Sequence, residues 1–200
     1  FNGEARKLFC HKLVMATPAY IGARLLGTVS QELAALLNEV PYASIASVPL
    51  GYRVEDIPME LDGFGFLIPR GTGYRILGTI WNSSLFEGRS PEGWALLTTY
   101  IGGATDPEAT RLSDEELREA VHSDLIRTLG VKGLPKALPV TRWERALPQY
   151  EIGHATRLKS IDKVLGEIPG LAIAGNYLHG ISLGDCLENG SRIAESLFEN

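Results

Sequence analysis

The fold is decided by residues 171–185, LAIAGNYLHGISLGD, near the end of the 200-residue chain. The stretch opens with four apolar residues, which is typical of a short parallel strand covered on both faces. A glycine-rich turn follows, and a helix is predicted from about Cys186 to Phe198. A strand, a glycine loop and a helix in this order indicate an α/β layer, whose ligands favour the carboxyl end of the strand.

The glycine-rich turn is a candidate ligand site. Glycine allows a ligand to approach the backbone closely, and a helix N-terminus stabilises negative charge. An ordinary βα turn uses glycine for the same steric reasons, and the loop matches neither G-x-G-x-x-G nor a Walker motif, so the pattern alone favours a plain turn. Asp185 is predicted to cap the helix. The helix face expected to point inward carries Leu187, Gly190, Ile193, Ala194 and Leu197.

Composition excludes several classes of protein. The chain is 44% apolar with a net charge of −5, which is ordinary for a globular protein and unlike a disordered chain or a nucleic-acid binder. Two cysteines, Cys10 and Cys186, cannot form a disulfide framework, so a reducing compartment is expected and a cytoplasmic location is predicted. No stretch has the roughly 20 apolar residues of a membrane span. Peripheral membrane contact and homo-oligomer formation are left open.

The first forty residues favour a strand followed by two helices. Residues 9–16, FCHKLVMA, are β-prone, and Thr17-Pro18 ends the run because proline cannot continue a strand ladder. Short helices are predicted over residues 20–27 and over residues 31–39, the second with Ser30 as its N-cap.

The middle of the chain is rich in strands and contains one long helix. Short spacing between the β-rich runs favours antiparallel neighbours. Ser113 opens a capping box, Ser-Asp-Glu-Glu, and Gly130 is expected to end that helix. A further strand is predicted over 140–145 and a helix over 154–168. The four β-rich runs are residues 42–52, 63–69, 74–83 and 94–102.

Other chemical signals are weak. The four histidines show no metal-ligand spacing and neither cysteine belongs to a C-x₂-C pair, so no metal site is predicted. His122 lies on a charged helix and is expected to be solvated. No side chain is a convincing general base, so no catalytic residue is assigned. Aromatic residues on the strands could line a pocket but are more often core; they are Phe64, Phe66, Trp81, Trp94 and Tyr100.

Three blocks resemble the C-terminal part of the protoporphyrinogen oxidase family, FAD-dependent enzymes of haem biosynthesis in the flavin amine oxidase superfamily. They are residues 63–103 (opening GFGFLIP), 140–154 (VTRWERALPQYEIGH) and 171–190 (LAIAGNYLHGISLGDCLENG). Residues 13–20, LVMATPAY, resemble the strand and turn with which this family leaves its FAD domain. The family's G-x-G-x-x-G motif does not occur here. We therefore expect a fragment with little activity alone.

The resemblance implies an α/β fold of mixed α+β character, the C-terminal part of a two-domain flavin amine oxidase-like protein. Rossmann-type pieces of the FAD domain would flank a mainly antiparallel substrate-domain sheet with helices. The implied boundaries place FAD-domain segments at residues 1–27 and 141–200 and the substrate-binding portion at residues 28–140.

The resemblance also implies which residues bind. FAD contacts fall in the glycine loop and at one tryptophan, and substrate contacts fall on the β-rich runs. The implied FAD-binding residues are Trp143, Gly175, Asn176, Ile181, Ser182 and Leu183. The implied substrate-binding residues are Phe64, Gly65, Leu67, Ile80, Tyr100 and Ile101.

The implied reaction is the six-electron oxidation of protoporphyrinogen IX to protoporphyrin IX, with FAD as cofactor and dioxygen as acceptor. The helix that begins near Cys186 would stabilise negative charge on the reduced flavin. Another flavin amine oxidase or desaturase, and a tetrapyrrole-binding module without catalysis, are the alternatives.

Overall fold

The computed structural model describes residues 7–198 and divides into two compact units. The flanking unit comprises described residues 7–41 and 148–198, and the sheet unit comprises residues 42–147. The sequence prediction placed the boundaries near residues 27 and 140. In the structure the first boundary comes later, after residue 41, because the helix over Gln31–Asn38 packs on its neighbours in the flanking unit.

The chain alternates between short strands and helices in the flanking unit and is mainly β in the sheet unit. In chain order, the elements are β1 (Leu13–Met15), α1 (Ala19–Leu26), α2 (Gln31–Asn38), β2 (Tyr42–Arg53), β3 (Gly65–Leu67), β4 (Ile76–Trp81), α3 (Asn82–Leu85), β5 (Trp94–Gly102), α4 (Asp114–Leu129), β6 (Lys136–Ala137), β7 (Thr141–Pro148), α5 (His154–Gly166), β8 (Leu171–Ile173) and α6 (Leu183–Phe198). Two short 3₁₀ helices cover Val54–Asp56 and Ala109–Arg111.

The predicted parallel strand is present in the flanking unit. β8 pairs with β1 in parallel, with Leu13 opposite Leu171 and Met15 opposite Ile173. The strand predicted over residues 9–16 is limited to the three residues that pair with β8. The Leu13 and Val14 side chains are exposed, so this two-stranded sheet is not covered on both faces by described residues.

Helix ends follow the signals in the sequence. The Ser30 hydroxyl accepts the Leu33 amide hydrogen at 3.1 Å and caps α2. At the head of α4, the Ser113 hydroxyl accepts from the Glu116 amide, and the Glu116 carboxylate accepts from the Ser113 amide at 2.8 Å. Gly130 ends α4 in the left-handed conformation (φ 69°). These contacts satisfy backbone groups that lack partners within a helix.

The sheet unit is built on an antiparallel sheet in the order β3-β4-β5-β2-β6, with β7 also paired to β2. The pairs Tyr100–Ser47 and Gly78–Tyr100 fix the central register. Because side chains alternate across a strand, each strand presents one residue set to each face of the sheet.

Helix α4 covers one face of that sheet and forms the core of the unit. Leu117, Val121 and Leu125 recur at i, i+4 and i+8 along α4 and are fully buried. They belong to one apolar cluster with strand residues of the same face, including Val48, Leu50, Ile76, Leu97 and Ile101. The opposite face of the sheet is only partly covered by described residues.

The inward face of α6 differs from the prediction. Leu187 is 66% exposed, and Gly190 and Ala194 are exposed as well. Asn189 is the buried residue, and its amide oxygen accepts from the Arg192 guanidinium at 2.7 Å. The apolar residues of α6 therefore do not all pack against one side of the described chain.

Candidate functional site

The glycine loop between β8 and α6 adopts a conformation that glycine alone permits at two positions. Gly175 has φ +155° and Gly180 has φ +137°. A Cβ added at Gly175 would lie 2.5 Å from Cε1 of Tyr177, and one at Gly180 would overlap the Asp185 carboxyl group. Both glycines are therefore required for the shape of the loop itself.

The start of α6 is closed by a capping box. The Ser182 hydroxyl accepts from the Asp185 amide at 3.1 Å, and the Asp185 carboxylate accepts from the Ser182 amide at 3.0 Å. Asp185, predicted as the cap, is thus the reciprocating residue, and Ser182 is the N-cap. The hydrogen bond from the Ser182 hydroxyl is the main cause that holds the pKa of Asp185 below its ordinary value.

This cap defines which backbone donors of α6 are left for a ligand. The Ser182 and Asp185 amides are engaged in the capping box, and the Cys186 amide donates to the Ser182 carbonyl at 3.1 Å. Leu183 and Gly184, as first-turn residues, have amides without a partner in the helix. The residues therefore fit a ring with an electron-rich edge. The Leu183 and Gly184 amides are neutral donors that can hydrogen-bond to this edge, although the Asp185 carboxylate lies close by.

Tyr150, to which the sequence analysis gave no role, holds this loop. Its hydroxyl donates to the Asn176 carbonyl at 2.6 Å and accepts from the Gly180 amide at 2.8 Å. Its ring stacks on His154, with centroids 4.2 Å apart and an interplanar angle of 10°. Tyr150 lies four residues before His154, the first residue of α5, and this short spacing is the signal in the sequence that could have indicated the contact.

The predicted FAD-binding residues are divided between the two units. Gly175, Asn176 and Ser182 shape the loop, while the Ile181 and Leu183 side chains are 50% and 79% exposed. These two aliphatic side chains offer apolar surface beside the free amides of α6. Trp143 lies on β7 in the sheet unit, and its side chain is also exposed.

The predicted substrate-binding residues lie mostly on the sheet face opposite α4. Leu67, Gly78, Tyr100 and Ser47 form one row across β3, β4, β5 and β2, and Gly65, Ile80, Thr98 and Pro49 form the next. We call these two rows the open face, where Leu67 is exposed, Ile80 and Tyr100 are half-buried, and Ser47 and Gly78 are buried. Both glycines are required by close approach of the strands, because a Cβ at Gly65 would overlap the Thr79 carbonyl and one at Gly78 would overlap the Phe66 carbonyl. Phe64, just before β3, is 79% exposed.

Ile101 does not belong to the open face, and its predicted role in substrate binding stays a prediction. It follows Tyr100 on β5, so its side chain points to the opposite face. It is fully buried in the cluster beneath α4. Phe66 and Trp81 pack against or within the same cluster, with ring centroids 6.5 Å apart.

His122 is not a solvated side chain as predicted. Its Nδ1 lies 2.9 Å from the Tyr52 hydroxyl, and the two rings stack at 5.9 Å. Burial lowers the pKa of His122 and raises that of Tyr52. The hydrogen bond and the ring stack between these two side chains anchor α4 to β2.

Curated proteins similar to this chain are named as porphyrinogen oxidases. Protoporphyrinogen oxidase 1, chloroplastic, of Spinacia oleracea is 41% identical over 187 residues, covering 88% of this chain and 33% of the relative. Coproporphyrinogen III oxidase of Bacillus subtilis is 33% identical, covering 77% of this chain and 33% of the relative. The chain therefore spans about a third of the length of these relatives.

Solved structures agree on the fold. A structure from Exiguobacterium sp. 255-15, provisionally named protoporphyrinogen oxidase, matches with a TM-score of 0.75 and 26% identity, covering 94% of this chain and 41% of the other. Reduced UDP-galactopyranose mutase, at 16% identity and a TM-score of 0.66 over 84% of this chain and 36% of the other, shares the fold alone.

The names of the plant relatives overturn the predicted location. Those of Spinacia oleracea and Oryza sativa are chloroplastic, and one of Arabidopsis thaliana is chloroplastic or mitochondrial, so a reducing cytoplasm does not follow from two cysteines. Within residues 7–198, no helix reaches the length and apolar character of a membrane span.

The family model described as flavin-containing amine oxidoreductase matches residues 2–197, nearly the whole chain. The match includes the parallel strand, the glycine loop and the antiparallel sheet. The chain belongs to the flavin-containing amine oxidoreductase family.

Proposed function

We propose that the protein oxidises protoporphyrinogen IX to protoporphyrin IX in haem biosynthesis, with FAD as cofactor and dioxygen as the final acceptor. The observation that carries this proposal is the open face, considered together with relatives that are named as porphyrinogen oxidases. It presents apolar side chains that the described residues cover only in part, as a large flat substrate requires.

The shape of the open face suits a tetrapyrrole. Gly65 and Gly78 allow β3 and β4 to approach closely, and Ile80 and Tyr100 supply apolar contact on the open face. Leu67 is 85% exposed at the edge, and a ring that covered it would remove its surface from water. Burial of such a side chain contributes about 1.5–3 kcal/mol.

The glycine loop has donors suited to the cofactor. The Leu183 and Gly184 amides would donate to the electron-rich edge of the flavin, and Ile181 would cover part of its apolar surface. When bound, FAD supplies the two-electron acceptor for oxidation of a carbon–hydrogen bond and passes the electrons on to dioxygen. The chain's own contribution is binding, orientation and exclusion of water, and no described side chain is assigned as a general base.

Coproporphyrinogen III is the second candidate substrate, because relatives from Bacillus subtilis and Propionibacterium freudenreichii carry that name. It has four propionates, whereas protoporphyrinogen IX has two propionates and two vinyl groups. The apolar open face favours the less charged substrate. A comparison of kcat/KM for the two substrates decides between them.

The proposal is tested by peroxide release from protoporphyrinogen IX by the full-length protein with FAD. Leu67→Asp places a charge on the open face and should raise KM at least tenfold, since a desolvated carboxylate is costly. Leu134→Asp is the matched control, because Leu134 is 87% exposed in the sheet unit and belongs to neither row of the open face. Equal KM values for the two variants would remove the open face from substrate binding.

The measurement also separates the remaining alternatives. A protein that binds porphyrin without flavin absorption would support a non-catalytic tetrapyrrole-binding module. A protein that binds FAD but oxidises amines or carotenoid precursors in place of porphyrinogens would support another oxidase or desaturase of the superfamily.

A further inference from the structure

We infer that Tyr150 is a positioning residue whose hydroxyl holds the glycine loop in the shape that presents the start of α6 to the cofactor. The inference rests on the proposed function, because it concerns how the same loop binds flavin. It concerns only the flanking unit, where both Tyr150 and the loop lie.

The hydroxyl joins the two sides of the loop through backbone atoms. It donates to the Asn176 carbonyl at 2.6 Å and accepts from the Gly180 amide at 2.8 Å. Because both partners are backbone groups, the contact fixes the path of the chain and does not depend on the loop side chains. One phenol thus bridges residues 176 and 180 of the loop.

His154 extends this support to the centre of the loop. Its ring is buried and stacks against Tyr150, and its Nε2 lies 3.4 Å from the Leu178 carbonyl. A carbonyl only accepts, so Nε2 of His154 carries a proton and donates to it. The loop is therefore held at residues 176, 178 and 180 by two stacked rings at the start of α5.

The protonation state of Tyr150 is consistent with this role. A phenol must keep its proton to donate to Asn176 while it accepts from Gly180. Burial is the largest cause that raises the pKa of Tyr150, so the neutral form is maintained at physiological pH. The Gly180 amide, being engaged by Tyr150, is withdrawn from any ligand, which leaves the Leu183 and Gly184 amides as donors.

The experiment compares Tyr150→Phe with Tyr150→Leu in the full-length protein. Phenylalanine keeps the stack on His154 and loses only the hydroxyl, whereas leucine loses both. We expect Tyr150→Phe to weaken FAD binding about tenfold, the equivalent of two hydrogen bonds, and to speed amide exchange over residues 175–181. At saturating FAD, KM for the porphyrinogen should not change. Tyr74→Phe, in the sheet unit, is the control.

The outcomes separate positioning from packing. If Tyr150→Phe matches the wild type in FAD affinity and loop exchange while Tyr150→Leu does not, the residue acts by packing and the inference is overturned. Faster exchange without a change in FAD affinity also overturns it. If the wild type binds no FAD, the proposed function fails, and the exchange comparison still decides whether the hydroxyl holds the loop.

Discussion

The two units differ in how completely the described chain covers their apolar residues. In the sheet unit, α4 and one sheet face enclose a continuous cluster whose central side chains, such as Leu97 and Leu125, are fully buried. In the flanking unit, Leu13 and Val14 on β1 and Leu187 on α6 remain exposed. The buried cluster beneath α4 can be predicted from sequence periodicity. The arrangement of β1, the glycine loop and α6, which leaves apolar side chains exposed, depends on turns and caps.

The largest expected effect tests whether apolar side chains are more completely buried beneath α4 than on α6. Leu125→Ala should lower the free energy of unfolding by about 2–5 kcal/mol, because it removes buried methyl groups and leaves a cavity. Leu187→Ala on α6 is the control and should change it by less than about 0.5 kcal/mol. Urea denaturation measures both. Similar losses for the two variants would contradict the comparison.

The next effect concerns the glycine loop. Gly175→Ala should lower the free energy of unfolding by about 1–3 kcal/mol and reduce FAD retention, because its Cβ would meet the Tyr177 ring and its φ is unfavourable for alanine. Gly190→Ala on α6 is the control, since a Cβ there meets nothing within 4 Å and Gly190 lies outside the glycine loop. Equal losses for the two variants would mean that the loop conformation does not depend on a glycine at position 175.

Each unit has one helix that begins with a capping box, which allows a like-for-like comparison. Ser113→Ala in α4 and Ser182→Ala in α6 should each cost about 1 kcal/mol of helix stability. Because α4 belongs to the closed core, Ser113→Ala should shift global unfolding. Ser182→Ala should mainly increase hydrogen exchange at the start of α6. A global shift of the same size from Ser182→Ala would show that the flanking unit is as cooperative as the sheet unit.

The smallest effect is the pH dependence of the sheet unit. Burial lowers the folded-state pKa of His122, so its contribution is fully present above its unfolded value, about 6.5. That contribution is lost as pH falls through the lower folded pKa. Unfolding measured between pH 7.5 and 5 should show this loss, and His122→Gln, which keeps an acceptor for Tyr52, should flatten the curve. A slope that survives in the variant would assign it to other groups.

Sequence patterns anticipated those elements that depend on local chemistry. The cap at Ser30, the capping box at Ser113 and the left-handed Gly130 each rest on contacts within one turn, and all three are confirmed. The parallel pairing of β8 was also predicted, because a short all-apolar run before a glycine-rich turn is typical of a parallel strand.

Features that depend on distant contacts could not be read from the sequence. The role of Tyr150 needs the loop to return to the start of α5, across 26 and 30 residues. The boundary at residue 41 needs α2 to pack on α5. Ile101 was grouped with Tyr100 because the resemblance supplied positions without the alternation of the strand, which places neighbours on opposite faces.

Because side chains alternate along β5, this one strand contributes both to the open face and to the buried cluster beneath α4. Deleting one residue of β5 before Tyr100 would exchange the open-face and interior side chains on one side of the deletion, because side chains repeat with a period of two. Substitutions in place can therefore alter the open face without disturbing the core, whereas a change in the length of β5 would disrupt the core on its other face.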